Sequence, residues 1–247
     1  MKTVFLFSGI LFLLYACSKN DTGSADSITA NNTITSGNTL SKFDSLPFPL
    51  KTGTWWKYKR VDTSTGSFGL SSHPPVIDSS IEVVTVKGKI KITDSVEATI
   101  LEIKNVNTGK IDSNYAFYYR TNFIITRSYP TNINYYANSK YLSPYDMRFR
   151  LPLVNGRVVI ESSNHFVYVK KDTTANVLNK SFFNSTYTYE YDHDFQGANA
   201  YGYSSVSYLQ NSVGFVFWQA GYYSRSHYGP YSDSWFVRRI LDYYIAP

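Results

Sequence analysis

The sequence predicts an all-β fold in which an antiparallel meander forms a curved sheet, a partial barrel or a sandwich. Its 247 residues include 23 Tyr and 16 Phe, and aromatic and β-branched side chains favour pleated, half-buried surfaces. Short segments that alternate apolar and polar residues recur from Trp55 to the C-terminus, separated by turn-forming residues. Because no segment sustains the apolar period of a helix over several turns, the pattern favours strands.

The predicted elements follow one another closely along the chain. Trp56, Tyr58 and Arg60 share one face of the first strand, because successive side chains point to opposite faces. A tight hairpin turn is predicted at Lys87-Gly88. Segments rich in Gly, Pro, Asn or Tyr predict loops at 66–75, 130–145 and 192–203. Further strands are predicted at 96–106, 115–120 with its continuation 123–127, 157–161, 166–170, 185–191, 213–219 and 235–244.

One short string occurs twice in similar form. Pro-Leu-Lys-Thr-Gly at 49–53 precedes the first predicted strand, and Pro-Leu-Val-Asn-Gly at 152–156 precedes a later one. Pro cannot donate to a strand ladder and Gly admits positive φ, so each string can start a strand after a turn. Two interpretations stay open: two related β halves, or chance likeness between two short strings.

A short apolar run precedes the only cysteine of the chain, Cys17. Lys2 supplies positive charge, and residues 4–14 are mostly apolar, a run far shorter than the roughly 20 residues of a membrane-spanning helix. This is the layout of a bacterial lipoprotein signal, so we predict a signal peptide at 1–16 and lipidation of Cys17, palmitate included. The alternative is a simple secretory signal that leaves Cys17 as a free thiol.

The residues after Cys17 predict a tether followed by one domain. Ser, Thr, Asn, Asp and Gly dominate 17–45, which cannot bury enough apolar surface to order itself and is predicted to be a lipidated flexible tether. Residues 46–247 are predicted to form a single β-rich domain. Ser18, directly after the cysteine, is typical of outer-membrane sorting, so we expect an envelope protein anchored in the outer membrane through the lipid on Cys17.

The charge pattern narrows the class of partner. The formal net charge is +6 with a pI near 9.1, yet the basic residues are scattered along predicted strands. They do not form the basic stripe with stacked aromatics that a nucleic-acid-binding protein presents, so no nucleic acid is expected as a partner. Solubility and a mild attraction to anionic lipid or glycan are the expected effects.

The start of the predicted domain resembles that of a known group of proteins. Residues 48–58 read Phe-Pro-Leu-Lys-Thr-Gly-Thr-Trp-Trp-Lys-Tyr, which resembles uncharacterised Bacteroidota lipoproteins whose domain opens with Phe-Pro-Leu-Lys-x-Gly-x-x-Trp-x-Tyr. Their "Val-Gly-φ-φ" strand and closing amphipathic strand are matched here at 213–216 and 240–244. The resemblance implies fold-determining roles, with Trp56 and Tyr58 pointing inward and Gly53 at a turn. It implies no catalytic residue.

No pattern of catalytic residues is recognisable. The histidines lack metal-ligand spacing, and no nucleophile elbow is present. Asp192-His193-Asp194, with Glu190 upstream, is interpreted as a solvated turn; the alternative is a site for a hard cation. We therefore predict no catalytic residue, no metal, no cofactor and no enzymatic activity.

Six aromatic residues in the last third of the chain form the candidate ligand-binding set: Trp218, Tyr222, Tyr223, Tyr228, Tyr231 and Trp235. Exposed aromatic rings stack on sugar faces or peptide side chains, whereas buried ones would fill a wide β core. The predicted function is a non-enzymatic envelope lipoprotein that binds or scaffolds an unidentified ligand, either a glycan or an envelope protein. One alternative is a carrier of a hydrophobic ligand, which requires a deep apolar concavity. The other is a glycan-binding module, which requires three or more of the six on one exposed face.

Overall fold

The chain forms one antiparallel sheet and a short helix in this computed structural model. The structure describes residues 48–68, 71–120, 122–138, 146–151, 153–162, 165–196, 199–210, 212–226 and 231–247. The signal peptide, Cys17, the tether and the start of the domain at 46 lie outside them and stay predictions. The strands are β1 (Trp55–Phe68), β2 (Ser71–Thr93), β3 (Val96–Asn105), β4 (Ile111–Tyr119), β5 (Asn122–Thr126), β6 (Met147–Arg150), β7 (Gly156–Ser162), β8 (His165–Val177), β9 (Lys180–Gln196), β10 (Asn199–Gln210), β11 (Gly214–Ser226) and β12 (Tyr231–Tyr244); the helix is α1 (Ile133–Asn138). Within these residues no helix is both long and apolar enough to span a bilayer.

All the strands in the described part of the chain belong to a single 12-stranded sheet, which confirms the all-β prediction. The order is β6-β5-β4-β3-β2-β1-β12-β11-β10-β9-β8-β7. Two meanders, β1–β6 and β7–β12, therefore meet where β1 pairs with β12, and β6 and β7 are the two edges. The sheet curves so that Phe149 on β6 packs against Phe215 on β11, with 5.5 Å between ring centroids.

The two similar strings occupy equivalent places in this arrangement. Gly53 precedes β1 with φ +91°, and Gly156 opens β7 with φ +107°. Positive φ is strained for any residue with a Cβ, which explains why glycine ends both strings. Each string thus leads into the first strand of one meander, an arrangement that favours two related halves over chance.

The main core lies on the inner, concave face of the sheet. Trp56 is fully buried there, and its indole Nε1 donates a hydrogen bond to the Val213 carbonyl at 2.5 Å. The Tyr58 hydroxyl donates to the Phe215 carbonyl at 2.9 Å. Both bonds join β1 to the segment around the start of β11, so the predicted inward orientation of Trp56 and Tyr58 is confirmed. Phe48 fills the space beside these two residues in the core, and its ring stacks on that of Trp56 with the centroids 5.0 Å apart.

A smaller cluster lies on the outer face of β3–β5, under α1. Ile133, Tyr136 and Ala137 of the helix pack on Phe117 and Ile124. Arg148 from β6 donates to the carbonyls of Tyr136 and Ala137 at 3.4 and 3.1 Å, where the helix leaves carbonyls without internal partners. The loop predicted at 130–145 therefore contains a helix, too short to show a helical period in sequence.

Two predicted loops are instead the ends of long hairpins. β1 and β2 pair through most of 66–75. β9 and β10 pair from Gln196 opposite Asn199 to Ser185 opposite Gln210. Pro74 and Pro75 are tolerated because they fall at a register shift, and β2 pairs with β3 only from Glu82 onward. Pairing with a long neighbour thus overrides the local preference of turn-forming residues.

The turn predicted at Lys87-Gly88 is a bulge in a continuous β2. The register with β3 shifts between Val86 and Gly88, and the chain turns later, at 94–95. The predicted run through 115–127 is also interrupted: Arg120 takes φ +53° and β5 returns antiparallel to β4. β6 and β10 are strands that the sequence pattern did not predict.

Candidate binding surface

The predicted aromatic set divides between the two faces of the sheet. Trp218 points inward and is 5% exposed, packed edge-on against Phe236 at 4.7 Å between centroids. Tyr222 shares the inner face, whereas Tyr223 and Trp235 are on the outer face and partly exposed. The side chains of Tyr228 and Tyr231 lie outside the described residues. The four described members therefore do not share one surface, because neighbours in a strand alternate between faces.

On the outer face, two of these rings each lie across a glycine of the adjacent strand. Trp235 of β12 covers Gly221 of β11, and a Cβ at Gly221 would overlap the indole ring. Tyr223 of β11 covers Gly202 of β10 in the same way. An aromatic ring over a strand glycine replaces the missing side chain as a cover for the backbone. Both rings nevertheless remain partly exposed.

A larger set of outward-facing rings spans four strands, and we call it the outer aromatic face. The pairing register places alternate residues of β8–β11 on this face. Its members are Phe166 and Tyr168 on β8, Tyr187, Tyr189, Tyr191 and His193 on β9, Tyr208 on β10, and Phe217 and Tyr223 on β11.

The rings of the outer aromatic face contact one another in two rows. The first row starts with Tyr168 and Tyr187, whose centroids are 6.2 Å apart. It continues to Tyr208 at 5.1 Å and to Phe217 at 6.0 Å. The second row runs from Phe166 to Tyr191 at 5.5 Å, to His193 at 6.0 Å and to Tyr223 at 5.5 Å. Cross-strand aromatic pairs of this kind stabilise a sheet, and here they also place two rows of rings on its outer face.

Cations flank this surface. The guanidinium of Arg157 on β7 lies 4.0 Å from the Phe166 ring centroid, and that of Arg225 lies 5.4 Å from Tyr223. Such contacts hold a cation at the edge of an aromatic surface without neutralising it. Burial raises the pKa of the Tyr187 and Tyr189 phenols, so these hydroxyls stay protonated at neutral pH and can donate hydrogen bonds.

The acidic residues of the same strands point the other way. Glu190 and Asp192 of β9 are on the inner face, where the Glu190 carboxylate lies 3.7 Å from His165. His193, between Asp192 and Asp194, is on the outer face. The part of the chain described by the structure contains no group of three or more His, Cys, Asp or Glu arranged to hold a metal ion. The side chain of Asp194 lies outside the described residues, so the cation alternative for 192–194 stays a prediction.

The interior cavities given by the described residues are small, so they do not favour a hydrophobic carrier. The apolar cavity beside Trp56 and Phe48 has a volume of about 30 Å³, and the polar one beside Arg60 and Glu82 about 20 Å³. Each has room for about one water molecule. A cleft of about 190 Å³ opens between β2, β1 and β12, but Asp62 and Asp78 are among its lining residues. None of these three spaces is a deep apolar concavity of the kind that an acyl chain needs.

A buried cluster of charges lies beside the polar cavity. Arg60 binds both carboxylate oxygens of Asp62 at 2.6 Å, and Glu82 accepts from Arg60 at 3.1 Å and from Arg238 at 2.7 Å. Burial lowers the pKa of Arg238, and the neighbouring Glu82 carboxylate opposes this effect. The arrangement pairs each carboxylate with a guanidinium, which suits a structural role.

Sequence reasoning missed the outer aromatic face because most of its rings precede Trp218, where the predicted aromatic set begins. The usable signal is the alternation Tyr187, Tyr189, Tyr191, His193, which places four rings on one side of a single strand. Which neighbouring rings join them depends on the strand register, which the sequence pattern did not provide.

Comparisons with known proteins give a distant structural similarity and no match in sequence. Neither the protein-family models nor the curated proteins contain a match to this sequence. Among solved structures, the chain is similar to a Bacteroides fragilis protein provisionally described as exported, with a YmcC-like fold. The similarity covers 80% of this chain and 99% of that one, at 12% sequence identity and a TM-score of 0.36. A likeness at this level carries no inference about function.

Proposed function

We propose that this protein is a non-enzymatic lipoprotein of the bacterial cell envelope that binds a glycan through the outer aromatic face. The observation that carries the proposal is the set of partly exposed rings on β8–β11, which contact one another in two rows. Aromatic rings stack on the C–H faces of sugars, and tyrosine hydroxyls add hydrogen bonds to sugar hydroxyls. The two chemistries together suit a carbohydrate better than a purely apolar ligand.

The contrast with the other half of the sheet supports a binding role. The outer face of β3–β5 is covered by α1, which buries Phe117 and Ile124 to 1% and 0% exposure. On β8–β11 the corresponding rings remain partly exposed, and Tyr168 is 37% exposed. A contiguous set of partly exposed large rings is a feature of interaction surfaces.

The cellular location in this proposal comes from the N-terminal sequence. The apolar run before Cys17 and the polar stretch after it support export, lipidation and an outer-membrane anchor. We expect metabolic labelling with an alkyne fatty acid to tag the wild-type protein and to leave Cys17→Ser unlabelled. Equal labelling of both proteins would contradict the lipid anchor.

The absence of enzymatic activity is proposed from the character of the polar groups. The buried carboxylates of the best-defined cluster, Glu82 and Asp62, are bound to guanidinium groups. Carboxylates neutralised in this way are poorly suited to act as a general base. Measurable turnover of a glycan by the purified protein would contradict this part of the proposal.

A glycan array tests the binding function directly. The detergent-purified protein is applied beside Trp235→Ala, which removes a ring that lies across Gly221 at the border of the outer aromatic face. We expect wild type to bind a restricted set of glycans and the variant to bind them about tenfold more weakly, a loss of about 1.4 kcal/mol. Absence of wild-type binding across the array would overturn the proposed function.

A further inference from the structure

We infer that the glycan is a linear chain that crosses the strands along the second row of the outer aromatic face, with about one sugar on each ring, an inference that rests on the proposed function. The rings of the second row belong to Phe166, Tyr191, His193 and Tyr223. Those of the first row belong to Tyr168, Tyr187, Tyr208 and Phe217. Two differences between the rows assign the ligand to the second row and sheet packing to the first.

The rings of the second row have similar orientations. The planes of Phe166 and Tyr191 differ by 38°, and those of Tyr191 and His193 by 3°. The planes of His193 and Tyr223 differ by 38°, whereas the successive angles in the first row are 64°, 59° and 75°. Steeply tilted neighbours point the edge of one ring at the face of the next, an arrangement in which the rings pack on one another. Rings of similar orientation instead present the same aspect to a chain that passes over them.

The two rows also differ in their contacts with the main core. Tyr208 and Phe217 of the first row pack against that core. Among the described residues that build the main core or pack against it, none belongs to the second row. Tyr223 instead lies across Gly202, whose register partner is His193. Removing a ring of the second row therefore disturbs the main core less than removing Tyr208 or Phe217.

The length of the second row determines the size of the ligand. β8 and β11 are three strand spacings apart, roughly 14 Å at about 4.8 Å per spacing. The ring centroids follow one another at 5.5, 6.0 and 5.5 Å, and a pyranose ring is similar in width to a phenyl ring. A single sugar therefore cannot contact both Phe166 and Tyr223, whereas a chain of about four sugars can. Trp235 lies across Gly221, two positions before Tyr223 on the same face, so it stands beside this end of the row.

The test measures how affinity depends on the length of the glycan. Cello-, manno-, malto- and laminari-oligosaccharides, from the monosaccharide to the hexasaccharide, are titrated into the detergent-purified full chain by isothermal titration calorimetry. We expect at least one series to gain about tenfold or more in affinity from the monosaccharide to the tetrasaccharide, because each added sugar reaches another ring. From the tetrasaccharide to the hexasaccharide we expect a change of less than about twofold, because the row of rings ends.

A matched pair of variants locates the chain on one row. Tyr191→Ala and Tyr187→Ala remove the same side chain from the same face of β9, one from the second row and one from the first. We expect Tyr191→Ala to bind the tetrasaccharide about tenfold more weakly and Tyr187→Ala less than about twofold more weakly. Phe166→Leu and Tyr168→Leu repeat the comparison on β8, in case a variant on β9 fails to fold. Equal losses in the two rows, or a loss confined to the first row, would overturn the inference.

The remaining outcomes separate the inference from the function on which it rests. A monosaccharide bound as tightly as its tetrasaccharide would overturn the linear chain and leave glycan binding standing. Binding confined to branched members of the glycan array would do the same. No binding to any oligosaccharide or array glycan, with wild type folded by circular dichroism, would overturn both.

Discussion

Glu82 is the residue on which the buried charges of the interior depend. Its carboxylate contacts Arg60 and Arg238, and all three side chains are at most 13% exposed. Both guanidinium groups also lie near the Phe236 ring, at 5.3 and 5.9 Å. Removing one member of such a cluster leaves an uncompensated buried charge, which costs far more than the loss of an exposed pair.

We predict that Glu82→Gln lowers the free energy of unfolding by about 3–5 kcal/mol, because two guanidinium groups lose their shared counter-ion. Urea denaturation followed by circular dichroism measures the change. Glu97→Gln is the matched control, because Glu97 pairs with Lys89 at 3.5 Å in an exposed position and should cost less than about 1 kcal/mol. Equal effects of the two substitutions would contradict this account.

Asp146 gives the protein a pH-dependent contribution to stability. Burial raises the pKa of its carboxyl, although Oδ1 accepts a hydrogen bond from the Arg127 amide at 2.9 Å. The folded state therefore holds the proton more tightly than the unfolded state. The resulting stability is present below the unfolded pKa and is lost as pH rises through the folded pKa.

We predict that Asp146→Asn changes the pH dependence of stability. The amide keeps an acceptor but cannot ionise, so the wild type should lose stability relative to the variant as pH rises from about 4 to 7. Urea denaturation of both proteins at several pH values measures this difference. A difference that stays constant, or that changes in favour of wild type, would contradict the burial argument.

At the scale of elements, the two meanders begin in the same way. Gly53 and Gly156 each have positive φ at the entrance to a first strand. Space does not restrict either position, since a Cβ at Gly53 would lie 3.8 Å from Ala246 and one at Gly156 would meet nothing within 4 Å. Any cost of substitution must therefore come from the backbone conformation itself.

We predict that Gly53→Ala and Gly156→Ala each lower the free energy of unfolding by about 1–2 kcal/mol, the cost of a Cβ at positive φ. Thermal and urea denaturation measure both variants. If the meanders start equivalently, the two losses should be similar. A loss at one glycine and none at the other would show that the strings do not play the same part.

The Trp235 ring, which lies across Gly221, contributes both to the packing of β11 and β12 and to the proposed binding surface. We predict that Gly221→Ala displaces the Trp235 ring, lowering stability by about 1–3 kcal/mol and increasing acrylamide quenching of tryptophan fluorescence. It should also weaken glycan binding without removing any aromatic residue. Ser204→Ala, at the register partner of Gly221 on the same face, is the control and should change neither property. Unchanged quenching in Gly221→Ala would contradict the overlap.

The alternation of apolar and polar residues predicted which residues share a face of a strand better than it predicted how the strands pair. The shared face of Trp56, Tyr58 and Arg60 followed from alternation alone. The long hairpin ends did not, because strand pairing continues on both sides of the register shift at which Pro74 and Pro75 lie. Helix α1 was missed because six residues are too few to show a period.

For the whole molecule, composition was enough to predict an all-β chain but not the location of its functional surface. Trp218 and Tyr222 lie close in sequence to Tyr223 and Trp235, yet they face the inside of the curved sheet. The outer aromatic face joins strands far apart in sequence, from Phe166 to Tyr223, and it exists only once the register is known.

The measurement that tests the account most directly compares Tyr222→Ala with Tyr223→Ala by isothermal titration with a glycan bound by wild type. The two residues are neighbours on β11, alike in chemistry and both partly exposed, but they point to opposite faces. We predict that Tyr223→Ala weakens binding about tenfold and that Tyr222→Ala changes it less than about twofold. Loss of binding in Tyr222→Ala with Tyr223→Ala unaffected would place the ligand on the inner face and contradict the account.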